Sequence, residues 1–423
     1  MTTKRAIALI ALLAAFGCSK QEAKDVKDSA KATANNVANK VEDALDVAVP
    51  VGGKDDPAAR EKERFDEGWR DLQVFKTAKN GPVQGPAAPA GQQVNLTFVA
   101  NAKESFKGLE PAAINAAPIA VPLQGDVAGP SVLKTQVYLD RANFSVGALD
   151  GRWGRNSGIA TWWYQRSHGL EATGAVDEPT FRALAAGAGN VPALVEKTLT
   201  ADDVKGPFTP LPDDVYEKEK LDCLCYETLL EKLAERFHTT QEFLEQLNPA
   251  VTDWSSMQAG QKVWAPNVRE PLTQDRIDIA KVVVSIRGNT FNGFDAAGNL
   301  VFHAPTTLGS KYDPSPNETV KVTKVVHDPH FHYQPTLFHE VPDSDPEANL
   351  KPGPNSPVGV VWIALSKPHF GIHGTSDPES IGYASSHGCV RLANWDAAEV
   401  GHRVAPGVEV EFLDTRETQT ASQ

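Results

Sequence analysis

The sequence predicts a multidomain protein: a small three-helix domain, a small α/β module and, towards the C-terminus, a mainly antiparallel β-sandwich or barrel. Three observations carry that expectation. The chain has 423 residues, 41% of them hydrophobic, which suits several cores rather than one. Apolar residues recur at helical spacing between 131 and 186 and again between 221 and 267. From Arg276 onward the pattern changes to short Val- and Ile-rich runs broken by turn residues, which reads as strands.

The first element is a leader over 1–17. Lys4-Arg5 precede an apolar run of eleven residues, Ala6 to Phe16, too short to remain in a bilayer as a spanning helix. Ala15-Phe16-Gly17-Cys18 resembles a bacterial lipobox, although Phe16 is bulkier than usual there. The resemblance implies cleavage before Cys18 and lipidation of its thiol. An ordinary small-x-small cleavage site at Ala15-x-Gly17 is the alternative. Ser19 follows the cysteine, which by the sorting rule of such lipoproteins implies the periplasmic face of the outer membrane. Membrane contact is then expected through the N-terminal lipid only. The formal charge of −13 makes the chain a poor candidate for nucleic acid or an anionic lipid surface, and no nucleic-acid partner is expected.

Residues 18–130 read as tether and unassigned sequence. Val26, Ala30, Ala34, Val37, Val41 and Leu45 make a thin helical stripe. Segments 49–60 and 80–93 are Pro- and Gly-rich linkers, with a helix expected over 61–79.

Residues 131–186 place Val132, Leu133, Val137 and Tyr138 on one helical face. The turn Asp150-Gly151-Arg152-Trp153-Gly154 follows, then an aromatic helix with Ile159, Trp162, Trp163 and Tyr164. Thr173-Gly174 and Val176-Asp177 lead into a last helix with Phe181 and Leu184. The glycines suit positive-φ turns and the aspartates suit caps. This stretch resembles the peptidoglycan-binding type 1 domain, which implies wall peptidoglycan as a partner.

Residues 221–267 run from Leu229-Leu230 and Phe237 through Thr239-Thr240 to Leu247-Asn248-Pro249, ending in Gly260-Gln261-Lys262-Val263 and Pro266. They resemble a LysM motif, which implies glycan binding. The family's opening G-D-T-L is replaced by Cys225-Tyr226-Glu227-Thr228, so a mere spacer is the alternative. Cys223 and Cys225 lie two apart. On a strand they would share a face near the upper limit of disulfide spacing. Small apolar fillers are the simpler reading and a Cys-x-Cys bridge the alternative.

Strands are expected at 277–286, 301–304, 321–326, 360–365 and 408–412, with Asp295 to Asn299 as a hairpin connection and 415–423 as a tail. Within this region Cys389 follows His373 by sixteen residues in a Gly- and Ser-rich loop. A thiol, an imidazole and a glycine beside the thiol are the parts of a thiolate acyl-transfer site. An imidazolium partner would depress the thiol pKa. The alternative is a buried cysteine in a turn.

Four strings connect 274–414 to a known family: Leu308-Gly309; Asp328-Pro329-x-Phe331-x-Tyr333-x-Pro335; Pro352-Gly353-Pro354-Asn355-Ser356-Pro357-Val358-Gly359; and Ile372-His373-Gly374-Thr375 with Ser385 to Leu392. This region closely resembles the YkuD-type L,D-transpeptidases. The resemblance implies Cys389 as nucleophile, His373 as its base partner and the Gly374 carbonyl as the group orienting the imidazole. His387 and the N–H groups of Gly388 and Cys389 would line an oxyanion site. Arg391 would hold a substrate carboxylate, unless it forms a structural salt bridge. Tyr333 and Ser386 would border the substrate, Ser386 chiefly by shaping the loop.

The implied reaction forms a thioester on a tetrapeptide stem, releases D-Ala and resolves on an amine. That amine would be a second stem (a 3→3 cross-link), a lipoprotein lysine or a D-amino acid. No metal or organic cofactor is implied. Water as acceptor would make the protein a carboxypeptidase. A hydrolase of the lipoprotein–peptidoglycan linkage and a non-catalytic wall-binding lipoprotein are rival readings of the same residues. His327, His330, His332 and His339 crowd one stretch, but no further ligand stands at a convincing spacing for zinc.

Overall fold

A computed structural model of the chain describes residues 96–100, 104–310, 313–338 and 340–413; the leader, Cys18, the tether, the helix expected over 61–79 and His339 lie outside them. All the described residues belong to one unit, 56–423. No helix among them is long and apolar enough to cross a membrane.

The stretch before 130 carries more structure than its sequence suggested. Strand β1 (Phe98–Ala100) pairs in parallel with β2 (Ile119–Val121) around helix α1 (Pro111–Ala116). Three helices follow: α2 (Pro130–Arg141), α3 (Arg155–Ser167) and α4 (Glu178–Gly187). Pro130 opens α2 where a missing N–H costs nothing. Asp177 caps α4 by accepting from Thr180 N at 2.9 Å. Their facing sides bury Leu133, Leu139, Trp162, Tyr164, Phe181 and Leu184.

Next comes an α/β module. Strand β3 (Leu194–Thr198) pairs antiparallel with β4 (Lys262–Pro266). Between them lie α5 (Val215–Glu219), α6 (Leu229–Arg236) and α7 (Gln241–Leu247). Thr228 and Glu231 form a reciprocal capping box on α6. The opening strand stands at 194, upstream of the expected 221. A segment from 199 to 228, which includes α5, separates it from α6 and α7. That segment holds the Cys223–Cys225 disulfide, with a Cα–Cα distance of 5.2 Å. The two cysteines sit in irregular chain rather than a strand, within bonding reach of each other, which displaces the filler reading.

The C-terminal domain is one curled eight-stranded sheet rather than two packed sheets. Its strands are β5 (Lys281–Ser285), β6 (Thr290–Phe294), β7 (Leu300–Pro305), β9 (Thr319–His327), β12 (Val361–Leu365), β13 (Gly371–His373), β15 (Val390–Arg391) and β16 (Glu409–Leu413), in the order β15-β13-β12-β9-β16-β5-β6-β7. Short β8 (Leu308–Gly309) pairs with β14 (Ser385–Ser386), and β10 (Phe331–Tyr333) with β11 (Ala348–Leu350). Most neighbours are antiparallel, but β16 with β5 and β13 with β15 run parallel. Thr307, just past β7, exchanges both backbone hydrogen bonds with Arg391 of β15 (3.0 and 2.9 Å), which joins the two ends of the sheet. Helix α8 (Asn394–Arg403) covers one face, its Ala397 and Val400 sharing a core with Val361 and Ile363 of β12.

The modules are joined through backbone. Residues 143–145 pair with His303 on the edge strand β7, through His303 N to Asn143 O (2.9 Å) and Ser145 N to His303 O (2.8 Å). An open strand edge is thereby closed. Leu149 N donates to His238 O at 2.7 Å, binding the three-helix domain to the α/β module.

Candidate active site

Sheet register places the site. Strands β13 and β15 run parallel with Ile372 opposite Val390 and His373 opposite Arg391. Side chains alternate along a strand, so Cys389, Arg391 and His373 fall on one side. All three line a cleft of about 700 Å³, together with Tyr333, Ser386 and His387.

The imidazole is fixed first. His373 Nδ1 lies 2.6 Å from the Gly374 carbonyl oxygen. A carbonyl only accepts, so Nδ1 carries the proton and Nε2 is left as the basic nitrogen. Trp362 on β12 stacks on the ring at 5.5 Å. Burial foremost, then the Arg391 charge, pushes the imidazole down to about 3. At neutral pH it is an uncharged base.

The thiol answers differently from expectation. Burial pushes the Cys389 pKa up, with a Gly371 N–H hydrogen bond and the Arg391 charge working against it. Sγ reaches the His369 carbonyl oxygen at 3.6 Å, and no Cys389–His373 hydrogen bond exists among the described residues. No contact of the expected imidazolium–thiolate kind joins the two groups among the described residues. A neutral imidazole offers no positive charge to depress the thiol, and an anion held in a largely enclosed cleft costs more than a thiol. His369, which the sequence did not single out, holds φ at +65°, an uncommon left-handed setting that aims its carbonyl at sulfur.

The loop before the nucleophile is tightly bonded. Ser386 Oγ donates to the Cys389 carbonyl at 2.6 Å and accepts from Gly388 N at 3.2 Å. Ser315 Oγ donates to the Gly388 carbonyl at 2.8 Å. The Gly388 N–H expected to face an oxyanion is thus engaged with Ser386, at the long end of hydrogen-bond distance. Gly388 sits at φ +100°, and a Cβ there would come within 2.7 Å of Phe370. His387 lines the cleft and has partners of its own. Its ring bonds Glu340 Oε1 at 2.7 Å and meets Phe338 edge-on at 5.0 Å.

Arg391 is the cleft's guanidinium. It has no salt bridge among the described residues, and its buried Nε finds no hydrogen-bond partner. That leaves it free to receive a carboxylate. Tyr333 stacks on Phe338 at 5.2 Å and forms one wall with the β10–β11 hairpin. Lys218 and Val215 of α5 reach the same cleft from the neighbouring module, a contribution hidden from the sequence by its distance along the chain.

The histidine-rich stretch does not gather into one site. His332 pairs with Glu347 at 2.9 Å. His327 instead stacks on His402 at 4.6 Å, beside Asp275, which lies 2.9 Å from His402 Nδ1. The ligand atoms of these three lie within 4.8 Å of one another, so they could approach one ion, apart from the cleft.

Comparison with known proteins bears on the family of the chain. The family model for the L,D-transpeptidase catalytic domain, YkuD, matches residues 280–411. A model described as "Putative peptidoglycan binding domain" matches 128–184. The chain is 32% identical over 181 residues to "Putative L,D-transpeptidase YkuD" of Bacillus licheniformis, covering 43% of this chain and 91% of that protein. It is 39% identical over 62 residues to "Probable L,D-transpeptidase YbiS" of Escherichia coli, covering 15% of this chain and 20% of that one. Among solved structures, L,D-transpeptidase 3 from Mycobacterium tuberculosis with a faropenem-derived adduct aligns at TM-score 0.27 and 17% identity, covering 38% of this chain and 76% of that one. The curled sheet, the Cys389–His373 cleft and a relative matched over nearly its whole length place this chain in the L,D-transpeptidase family.

Proposed function

We propose that the protein transfers the acyl group of a peptidoglycan tetrapeptide stem to an amine through a thioester on Cys389. One observation carries the assignment of roles. His373, locked by Gly374 at 2.6 Å, keeps Nε2 as a neutral base in the cleft that holds Cys389. On attack, the thiol proton passes to Nε2 as sulfur bonds the carbonyl carbon of the third stem residue. The C–N bond to D-Ala breaks, and its nitrogen takes that proton from the imidazolium. An acceptor amine then attacks the thioester, gives its proton to Nε2 and releases the thiol. A neutral resting pair suits this order, because charge forms only once substrate has filled the cleft. Arg391 would hold a stem carboxylate, and Tyr333 would border the stem.

The accessory modules would keep the enzyme on the wall. The three-helix domain belongs to a peptidoglycan-binding class. Apart from the inserted α5, the order β3-α6-α7-β4 supports reading the α/β module as LysM-like and glycan-binding. Cys18 would anchor the chain by lipid at the periplasmic face of the outer membrane.

The test incubates the full chain with tetrapeptide muropeptides, beside Cys389→Ala, and follows products by mass spectrometry. Cysteine-dependent dimers lacking one D-Ala are expected. Loss of D-Ala without dimers, even with D-amino acids supplied, would make the protein a carboxypeptidase. No change in either sample would sink the acyl-transfer reading.

A further inference from the structure

One buried group outside the cleft points back into it. Glu235 lies on α6 of the α/β module and is 8% exposed. Asn394, at the start of α8 in the catalytic domain, donates from Nδ2 to its two carboxyl oxygens (3.0 and 3.1 Å) and to the Pro354 carbonyl (3.0 Å). The amide oxygen of Asn394 accepts from Thr375 N (3.1 Å) and Val360 N (3.3 Å). Acceptors on the nitrogen side and donors on the oxygen side fix which way the amide points. Two glycines let it approach: a Cβ on Gly359 or Gly374 would fall 2.1 Å from Asn394 Oδ1.

Thr375 N belongs to the Gly374–Thr375 peptide, whose carbonyl holds His373 Nδ1. One peptide plane is therefore gripped on its N–H edge by Asn394 and grips the imidazole on its C=O edge. We propose that Glu235 is a positioning residue for the catalytic imidazole, acting through Asn394 and the Gly374–Thr375 peptide, so that the α/β module completes the catalytic apparatus from outside the catalytic domain. This rests on reading His373 as the base. Tyr226 supports the same carboxyl at 3.4 Å, and burial keeps Glu235 protonated, so no counter-charge is needed there. The carboxyl then acts as an acceptor for Asn394, which an amide can replace.

The experiment compares Glu235→Leu, Glu235→Gln and Glu235→Asp in the full chain, with His373→Ala and Cys389→Ala as controls. Turnover of tetrapeptide muropeptide is measured as kcat and KM, and folding by thermal melting. Glu235→Leu is expected to lower kcat at least about tenfold with KM within about twofold, since small misplacements of a catalytic group cost up to about a hundredfold. Glu235→Gln, which keeps an oxygen towards Asn394, should stay within about twofold of the parent. If Glu235→Leu does not fold, Glu235→Asp gives the reading: a lowered kcat with an unchanged melting midpoint supports the proposal, and an unchanged kcat overturns it. Parent kcat in a folded Glu235→Leu, or equal losses in the Leu and Gln variants, would also overturn it. Activity that survives in the control variants would instead overturn the assignment of His373 and Cys389 themselves.

Discussion

Two buried polar regions of this molecule have opposite characters. One is the joint between modules. Asp140 of α2 takes Arg269 Nη1 at 2.6 Å, His238 Nδ1 at 2.8 Å and the Arg269 backbone N–H at 2.8 Å. Arg269 reaches on to Asp396 of α8 at 2.6 Å, and Ser145 donates to Asp396 at 2.7 Å. The ring of His238 lies flat on Trp395 at 5.0 Å. The other region is the cleft, where the His373 ring makes one hydrogen bond, the Cys389 thiol reaches one carbonyl and Arg391 has no carboxylate partner among the described residues. Saturated charges make a fastener. Groups left short of partners keep their chemistry for substrate.

The largest expected difference is between deleting a group from each. Cys389→Ala should lower turnover at least about a thousandfold while leaving the melting midpoint unchanged or raised. A fall of several degrees would mean that the thiol is structural after all. Arg269→Met should do the reverse, destabilising the fold by about 3–5 kcal/mol in urea titration, because Asp140 and Asp396 lose their shared cation. A loss below about 1 kcal/mol would show that water reaches the joint, and the contrast would fail.

Titration sharpens the contrast further. Burial, opposed by the Asn394 hydrogen bond, pushes Glu235 from 4.5 up to about 8. Between those values the folded protein keeps a proton that the unfolded chain has released. Stability therefore falls as pH rises through that window and changes no further above it. Glu235→Gln should flatten that slope in melting curves taken from pH 4.5 to 8. Parallel slopes in the two proteins would place the ionised form in the fold. Asp140 behaves oppositely. Burial opposes its charge, but Arg269 and His238 outweigh it and hold it near 2, so its contribution is present above the ordinary carboxyl value and is lost only as pH falls through about 2.

The smallest effect is on the thiol itself. Its alkylation by iodoacetamide should have a midpoint above the ordinary thiol value of about 8.5. Arg391→Gln should move it higher, since the guanidinium is one of the influences that lower it. A midpoint near neutrality would restore the preformed ion pair that the sequence suggested.

The motif around Cys389 was legible because chemistry and spacing travel together in a short string. Its protonation was not, because burial is a property of the packed cleft. The partner of His387 was hidden for a related reason: Glu340 stands 47 residues away along the chain. Strand β6 escaped notice because Asn292 and Gly293 are poor strand formers in isolation. Inside the sheet it pairs on both sides, and Gly293 makes room for Ile279. The α/β module's helices α6 and α7 were readable from their own periodicity, whereas β3 was cut off from them by the intervening segment that carries the disulfide.

The backbone seam between residues 143–145 and β7 bears on how such a chain can be rearranged. A gene fusion that carried 274–413 alone into another protein would expose the His303 edge to any passing strand. It would also strand Asp396 without its arginine and leave Asn394 without Glu235. Recombination can therefore exchange what lies upstream of this assembly far more freely than what lies within it. The boundary that matters for inheritance does not fall between the three-helix domain and the enzyme.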